Sequence, residues 1–161
     1  MGAKGEALAK QFEAKVQEAT TVFEKVSEGD WKKVTSAEKW PVGVVAHHVA
    51  MAHAGIGGMV KAIADGKMTG PATRSMSDID AMNAQHAKDF ANVGKAETIA
   101  LQKKNAAEAA AMVRGLSDEQ LGRSGNLLSG LPAMTTEQAI AGILINHMTD
   151  HLASIRNTIG G

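Results

Sequence analysis

Cysteine and tyrosine are absent from this 161-residue chain, and aromatics are few, with three Phe and two Trp. Without cysteine there is no disulfide, no cysteine nucleophile and no thiolate ligand for a metal. Any thiol chemistry needs a thiol brought by a small molecule. Net charge is also missing, since 17 Lys and Arg face 17 Asp and Glu. That balance offers no steering toward nucleic acid or an anionic membrane, and neither is expected as a partner. No run approaches the roughly 18 uninterrupted apolar residues of a membrane-spanning helix. The opening MGAKGEALAKQFEAKVQEAT has no apolar core followed by a cleavage-like segment, so it does not read as a signal peptide. The expectation is a cytoplasmic protein.

What is abundant is alanine, within a hydrophobic content of 44%. Such a chain suits helices that approach closely, and no composition shift or internal repeat divides it, so residues 1–161 are expected to form a single domain. A first helix is predicted over about residues 6–28, with Leu8, Phe12, Val16, Ala19, Phe23 and Val26 along its apolar stripe. A second begins near Trp40–Pro41, runs through Val45, His48, Ala52, Ile56, Met59 and Ile63, and ends at Gly66. GIGG at 55–58 has no preceding strand and is expected to serve close helix packing. After a Gly/Pro/Ser/Thr connection over 66–77, Ser77 and Asp80 resemble a capping box. A third helix over about 78–113 follows, with Ile79, Met82, His86, Phe90, Val93, Glu97 and Leu101 on its stripe and a bend at Gly94. Ser117 and Gln120 start a short helix, and Thr135 and Gln138 cap a last one reaching about Ile159. Convincing strand patterns are lacking. The fold class is therefore all-α, a four-helix bundle with an additional short helix. Its later connections are longer than minimal turns, so a simple up-down-up-down order is not secured.

Six histidines stand at 47, 48, 53, 86, 147 and 151. Ile140, Leu144, His147, His151 and Ile155 follow one another at intervals of 4, 3, 4 and 4, the spacing of one helix face. Unpaired imidazoles at core positions cost roughly 1–3 kcal/mol each. A metal ion, or a hydrogen-bonded network, meets that need. His48 is the best third partner, because it shares a stripe with Val45, Ala52 and Ile56, whereas His47 is turned by about 100° toward a helix edge or solvent. Three neutral nitrogens on two helices would leave a coordination position open, as catalytic rather than structural sites do. His86 on the third helix is a candidate for contacting substrate or supporting the ligands, and Asn83 for donating to a bound polar group. Glu97 reads as a salt-bridge partner and Asp150 as a surface residue. H-E-x-x-H is absent, and no pattern assembles a Ser/His/Asp triad.

The segments WPVGVVAHHVAMAH at 40–53 and NHMTDHLASIRNTI at 146–159 together resemble the DinB/YfiT-like superfamily of candidate metalloenzymes. The resemblance matches His48 to the family's first histidine and His147 and His151 to its late H-x-x-x-H pair, with His47 an additional histidine beside the first. It implies a four-helix bundle, a three-histidine site for a divalent metal, and frequent homodimers. Family members of known activity include enzymes that use a low-molecular-weight thiol for transfer or isomerisation, while many others have no assigned reaction. The expected function is thus a divalent-metal-dependent enzyme, with zinc or nickel as the cofactor and thiol-using transfer as one form of its chemistry. No catalytic base is identified. The alternatives are a noncatalytic metal-binding or stress-related interaction protein, and a structural bundle whose histidines are satisfied without metal.

Overall fold

A computed structural model describes residues 2–160; Met1 and Gly161, the two ends of the expected domain, lie outside the described residues. Helices α1 (Ala3–Lys25), α2 (Glu28–Trp31), α3 (Val42–Ala64), α4 (Met76–Asp89) and α5 (Lys95–Arg114) come first. Then follow α6 (Asp118–Gly122), α7 (Thr136–Ala139), a π-helical segment (Ile140–Ile145) and α8 (His147–Ile159). The capping boxes at Ser117/Gln120 and Thr135/Gln138 are both formed. The box at the start of α4 is displaced: Ser75 and Asp78 make it, not Ser77 and Asp80. Two short strands, Ser124–Gly125 (β1) and Met134–Thr135 (β2), pair antiparallel and tie the loop before α7.

Four rods make an all-α four-helix bundle: α1, α3, α5 and the continuous run α7–π–α8. Each of α1 and α3 packs against both α5 and the last rod, so α1 and α3 face each other diagonally. Their meeting point in the core is Phe12 edge-on to His53. Helix directions follow from contacts at the ends. Arg114 reaches Glu6 while Lys95 Nζ donates to the carbonyls of Glu24 and Val26, so α1 and α5 are antiparallel. Trp31, packed on Gly43 at the start of α3, donates to the carbonyl of Val93 just before α5, and Gly57 faces Ala109 and Met112 farther on, so α3 and α5 are parallel. Arg123 and Thr136 bring the start of the last rod to the end of α3, which makes these two antiparallel. No helix among the described residues is long and apolar enough to cross a membrane.

Helices α3 and α5 are consecutive rods that run the same way, so the chain must return the length of the bundle between them. Residues 65–94 do this. The expected helix over 78–113 is consequently broken: α4 ends at Asp89, and α5 begins after Gly94, whose N–H is capped by Glu97. Glu97 is therefore a cap and not a salt-bridge residue. No residue of α4 is buried, and Met82, expected on an inward stripe, is 51% exposed. The core face of α5 is Thr98, Gln102, Asn105, Ala106, Ala109, Ala110 and Val113. Its polar members are satisfied. Thr98 donates to the Gly94 carbonyl, Asn105 to the Ala50 carbonyl, and Gln102 pairs with His53 at 2.8 Å.

Two other expectations shift. The deepest line of α3 is Val42, Val45, Val49, His53, Val60 and Ile63, while His48, Ala52, Ile56 and Met59 lie half-buried at its edge. The start of α3 is apolar on every side, so periodicity there could not fix the phase. Of the glycines in GIGG only Gly57 packs against a neighbouring helix; a side chain at Gly55 or Gly58 would meet nothing within 4 Å.

Gly43 is different, because a Cβ there would lie 2.3 Å from Trp31 Nε1. Helix propensity alone favours Ala over Gly by about 1 kcal/mol, but displacing the indole also breaks its bond to Val93 and overpacks the core, at about 1–3 kcal/mol. Gly43→Ala is expected to lower the thermal midpoint in circular dichroism; an unchanged or raised midpoint would contradict this packing.

Candidate metal centre

The last rod does not keep one helical phase. An i→i+5 turn holds one residue more than an α-helical turn, and one residue of α-helix rotates about 100°. The π-helical segment Ile140–Ile145 therefore turns everything after it by about that angle. Beyond it the core line passes through Met148, Leu152 and Ile155, all fully buried. His147 and His151 lie one residue behind, half-buried and facing α3, rather than in the core line with Ile140 and Leu144 as expected.

There they meet His48. The Nε2 atoms of His48 and His147 are 3.1 Å apart, and the three rings sit with centroids 4.7–4.9 Å from one another. One ligand nitrogen from each of His48, His147 and His151 can be chosen so that all three lie within 4.8 Å of one another. Ligand nitrogens around a tetrahedral zinc, at Zn–N of about 2.0–2.1 Å, stand roughly 3.3 Å apart. Closing the set on one ion would draw these nitrogens closer together. In its absence the 3.1 Å contact requires one of the two Nε2 atoms to carry a proton, which a metal would replace.

His151 has its own orienting partner, missed by the sequence reading. Glu38 Oε2 lies 2.7 Å from His151 Nδ1, and Glu38 Oε1 accepts from Ser154 Oγ and from Thr35 Oγ1 at 2.7 Å. A proton on Nδ1 donated to this carboxylate leaves Nε2 with its lone pair toward the cluster, the arrangement that carboxylates impose on metal-binding histidines. Glu38 sits in a turn where Thr35 N–H donates to the Trp40 carbonyl and Lys39 adopts a φ of 62°. A non-glycine residue in the left-handed region is uncommon, and here it aims the preceding carboxylate at α8. The Ser154–His151 spacing of three on one helix was the only sequence trace of this group.

His47 is buried under α4, its Nδ1 2.8 Å from His86 Nε2 and its ring stacked on Phe90 at 4.1 Å. It thus lies at a helix edge, not in solvent, and takes no part in the cluster. The His86 ring is 5.8 Å from that of His48. Asn83 is half-buried one turn earlier on α4, and Asp150 is exposed. Trp40 packs edge-on to His48 at 5.5 Å.

Burial, then the neighbouring imidazoles His147 and His151, pushes His48 down to about 3; burial and His151 push His147 down to about 4. Burial likewise lowers His53 to about 4, against a smaller opposing effect of Gln102. Burial would raise Glu38, but its hydrogen bonds from Ser154, His151 and Thr35 outweigh it and hold the carboxyl below its usual range. At neutral pH His48 and His147 thus offer uncharged nitrogens.

A family model described as the DinB superfamily matches residues 11–155. Among solved structures, YfiT from Bacillus subtilis, described as a probable metal-dependent hydrolase with an unusual four-helix bundle topology, superposes with a TM-score of 0.78. The two are 20% identical, over 98% of this chain and 87% of that one. No curated protein matches the chain.

The depressed histidines set a pH dependence. Their folded pKa values lie below the unfolded value of about 6.5, so the stability they contribute is full above that pH and is lost as pH falls toward 4. For fully buried His53 the loss is on the order of 3 kcal/mol. Urea midpoints of metal-free protein should therefore fall between pH 7.5 and 5, and less so in a His53→Gln variant. A midpoint flat across this range would refute the assignment.

Proposed function

The chain belongs to the DinB superfamily, and on that premise we propose that it is a divalent-metal-dependent enzyme with His48, His147 and His151 as ligands. The observation that carries this reading is the convergence of three nitrogens from two rods, with the Glu38 carboxylate 2.7 Å from Nδ1 of one of the rings. Zinc or nickel suits an all-imidazole donor set. When bound, such an ion supplies Lewis acidity, activating water or holding an external thiol as thiolate.

The chain's own groups would do the rest. His48 and His147 stay neutral and available at pH 7, α3 and α8 hold the donors on rigid backbones, and Trp40 shields one side of His48 from water. The nucleophile must come from outside, since cysteine is absent. The description of YfiT supports hydrolysis; transfer using a low-molecular-weight thiol is the other form of the same chemistry. Assays of metal-loaded protein on activated esters, with and without added thiol, separate the two. A noncatalytic metal-binding or stress-related interaction role is the alternative reading of the same ligand set.

We also propose that the protein is a homodimer. Met51, Ala54, Gly55 and Gly58 form an exposed line of apolar and small residues on α3, which permits close approach of a second helix. A cytoplasmic location goes with this reading.

Metal analysis of purified protein should give one divalent ion per chain. His48→Ala, His147→Ala and His151→Ala should each abolish tight binding, and Glu38→Ala should weaken it about 10–100-fold. Unchanged metal content in all three histidine variants would reject the ligand set. Sedimentation over micromolar concentrations should report a dimer mass, converted to monomer by Gly58→Arg; a monomer throughout would reject the assembly.

A further inference from the structure

Among the described residues, the one buried side-chain polar atom without a hydrogen-bond partner is Nδ1 of His86. Buried polar atoms are so regularly paired that an exception signals a missing water, ion or ligand. The rest of this side chain is well held. Its Nε2 is 2.8 Å from His47 Nδ1, its ring stacks on His47 at 5.0 Å and 18°, and Phe90 packs at 5.0 Å. Helix α4 contributes no buried residue, so these contacts rather than core packing keep His86 in place. Its ring stands 5.8 Å from His48, and Trp40 touches both rings, at 5.5 Å and 6.4 Å.

We propose that His86 is a ligand-binding residue, whose Nδ1 donates a hydrogen bond to a carbonyl or anionic group of a small molecule entering beside His48, with His47 as its positioning residue. This rests on reading His48, His147 and His151 as a metal centre. A group drawn to a divalent cation carries negative charge or a partial one, so it needs a donor. If His47 Nδ1–H donates to His86 Nε2, neutral His86 has its own proton on Nδ1, and the donor is supplied. The crossover that returns the chain between two parallel helices thereby brings the site a polar group that neither helix of the triad provides.

Two amides separate this role from a merely structural latch. Asn carries its amide nitrogen near the position of imidazole Nδ1, whereas Gln reaches the position of Nε2. Cobalt(II)-loaded wild type, His86→Asn, His86→Gln and His86→Phe are titrated with azide, followed by the visible spectrum of the metal, with cobalt affinity measured separately. Because α4 buries nothing, all four are expected to fold alike, checked by circular dichroism. The expected result is cobalt affinity unchanged throughout, azide affinity within about threefold of wild type for Asn, and at least tenfold weaker for Gln and Phe. Retention by Gln with loss in Asn would make His86 a latch to His47 and overturn the proposal, as would equal azide affinity in all four or equal loss in all three variants. Wild type that binds no cobalt would instead overturn the metal-centre reading, and this inference with it.

Discussion

Two consecutive helices that lie side by side and point the same way cannot be joined by a tight turn. That constraint, set by the parallel packing of α3 and α5, organises the molecule. The segment 65–94 must travel back along the bundle, and it is the part least engaged with the core: none of the residues in its helix α4 is buried. Few anchors hold it. Trp31 donates to Val93, His47 meets His86, Asn126 donates to the Gly70 carbonyl, and Ser129 N–H to that of Arg74. The crossover solves a problem of connection, and in doing so lays a helix beside the histidine cluster. The same logic places the loop 32–41, which links the diagonal pair α1 and α3, where Glu38 can reach α8.

The cluster is kept useful by electrostatics as much as by geometry. Burial and the neighbouring imidazoles disfavour protonation of His48 and His147. Neutral rings are what a cation needs. The single carboxylate in contact with them is spread over three donors, two of them hydroxyls, so it orients His151 without being left to form an unscreened ion pair. His53 shows the contrasting case. It is fully buried, its Nε2 is satisfied by Gln102, which also lies within reach of Thr20, and it serves as a polar tie between α3 and α5.

How much of this could be read from the sequence depended on how local the determinant was. Ser117/Gln120 and Thr135/Gln138 were legible because a capping box is complete within four residues. The all-α class was legible because apolar residues recur at helical spacing along most of the chain, whereas at His47 and His48 the phase was not, since the start of α3 is apolar on every side and it is His47 that is buried. The π-helical segment was not legible either, since nothing in Ile140–Ile145 distinguishes an i→i+5 turn from an α-helical one; an unbroken 4-3-4-4 spacing therefore put His147 and His151 in the core rather than on its rim. Gly94 was seen as a weak point but read as a bend, because the parallel pairing that demands a full break is a tertiary fact. Glu38 was invisible for a similar reason. It lies in a loop, and its partners are up to 116 residues away in sequence.

That last distance has a bearing on the order in which the molecule takes shape. His48 and His147 are 99 residues apart, and Glu38 and His151 113. Closing such loops costs entropy that only later contacts repay, so pairings of this span form late. Before α8 docks, a nascent chain can present at most the two imidazoles of one helix turn, a weak and exchangeable pair of donors. The complete set exists only once the first and last thirds of the chain have been brought together. A tightly held cation would then act as a clasp on the finished topology, favouring it over every partly assembled alternative.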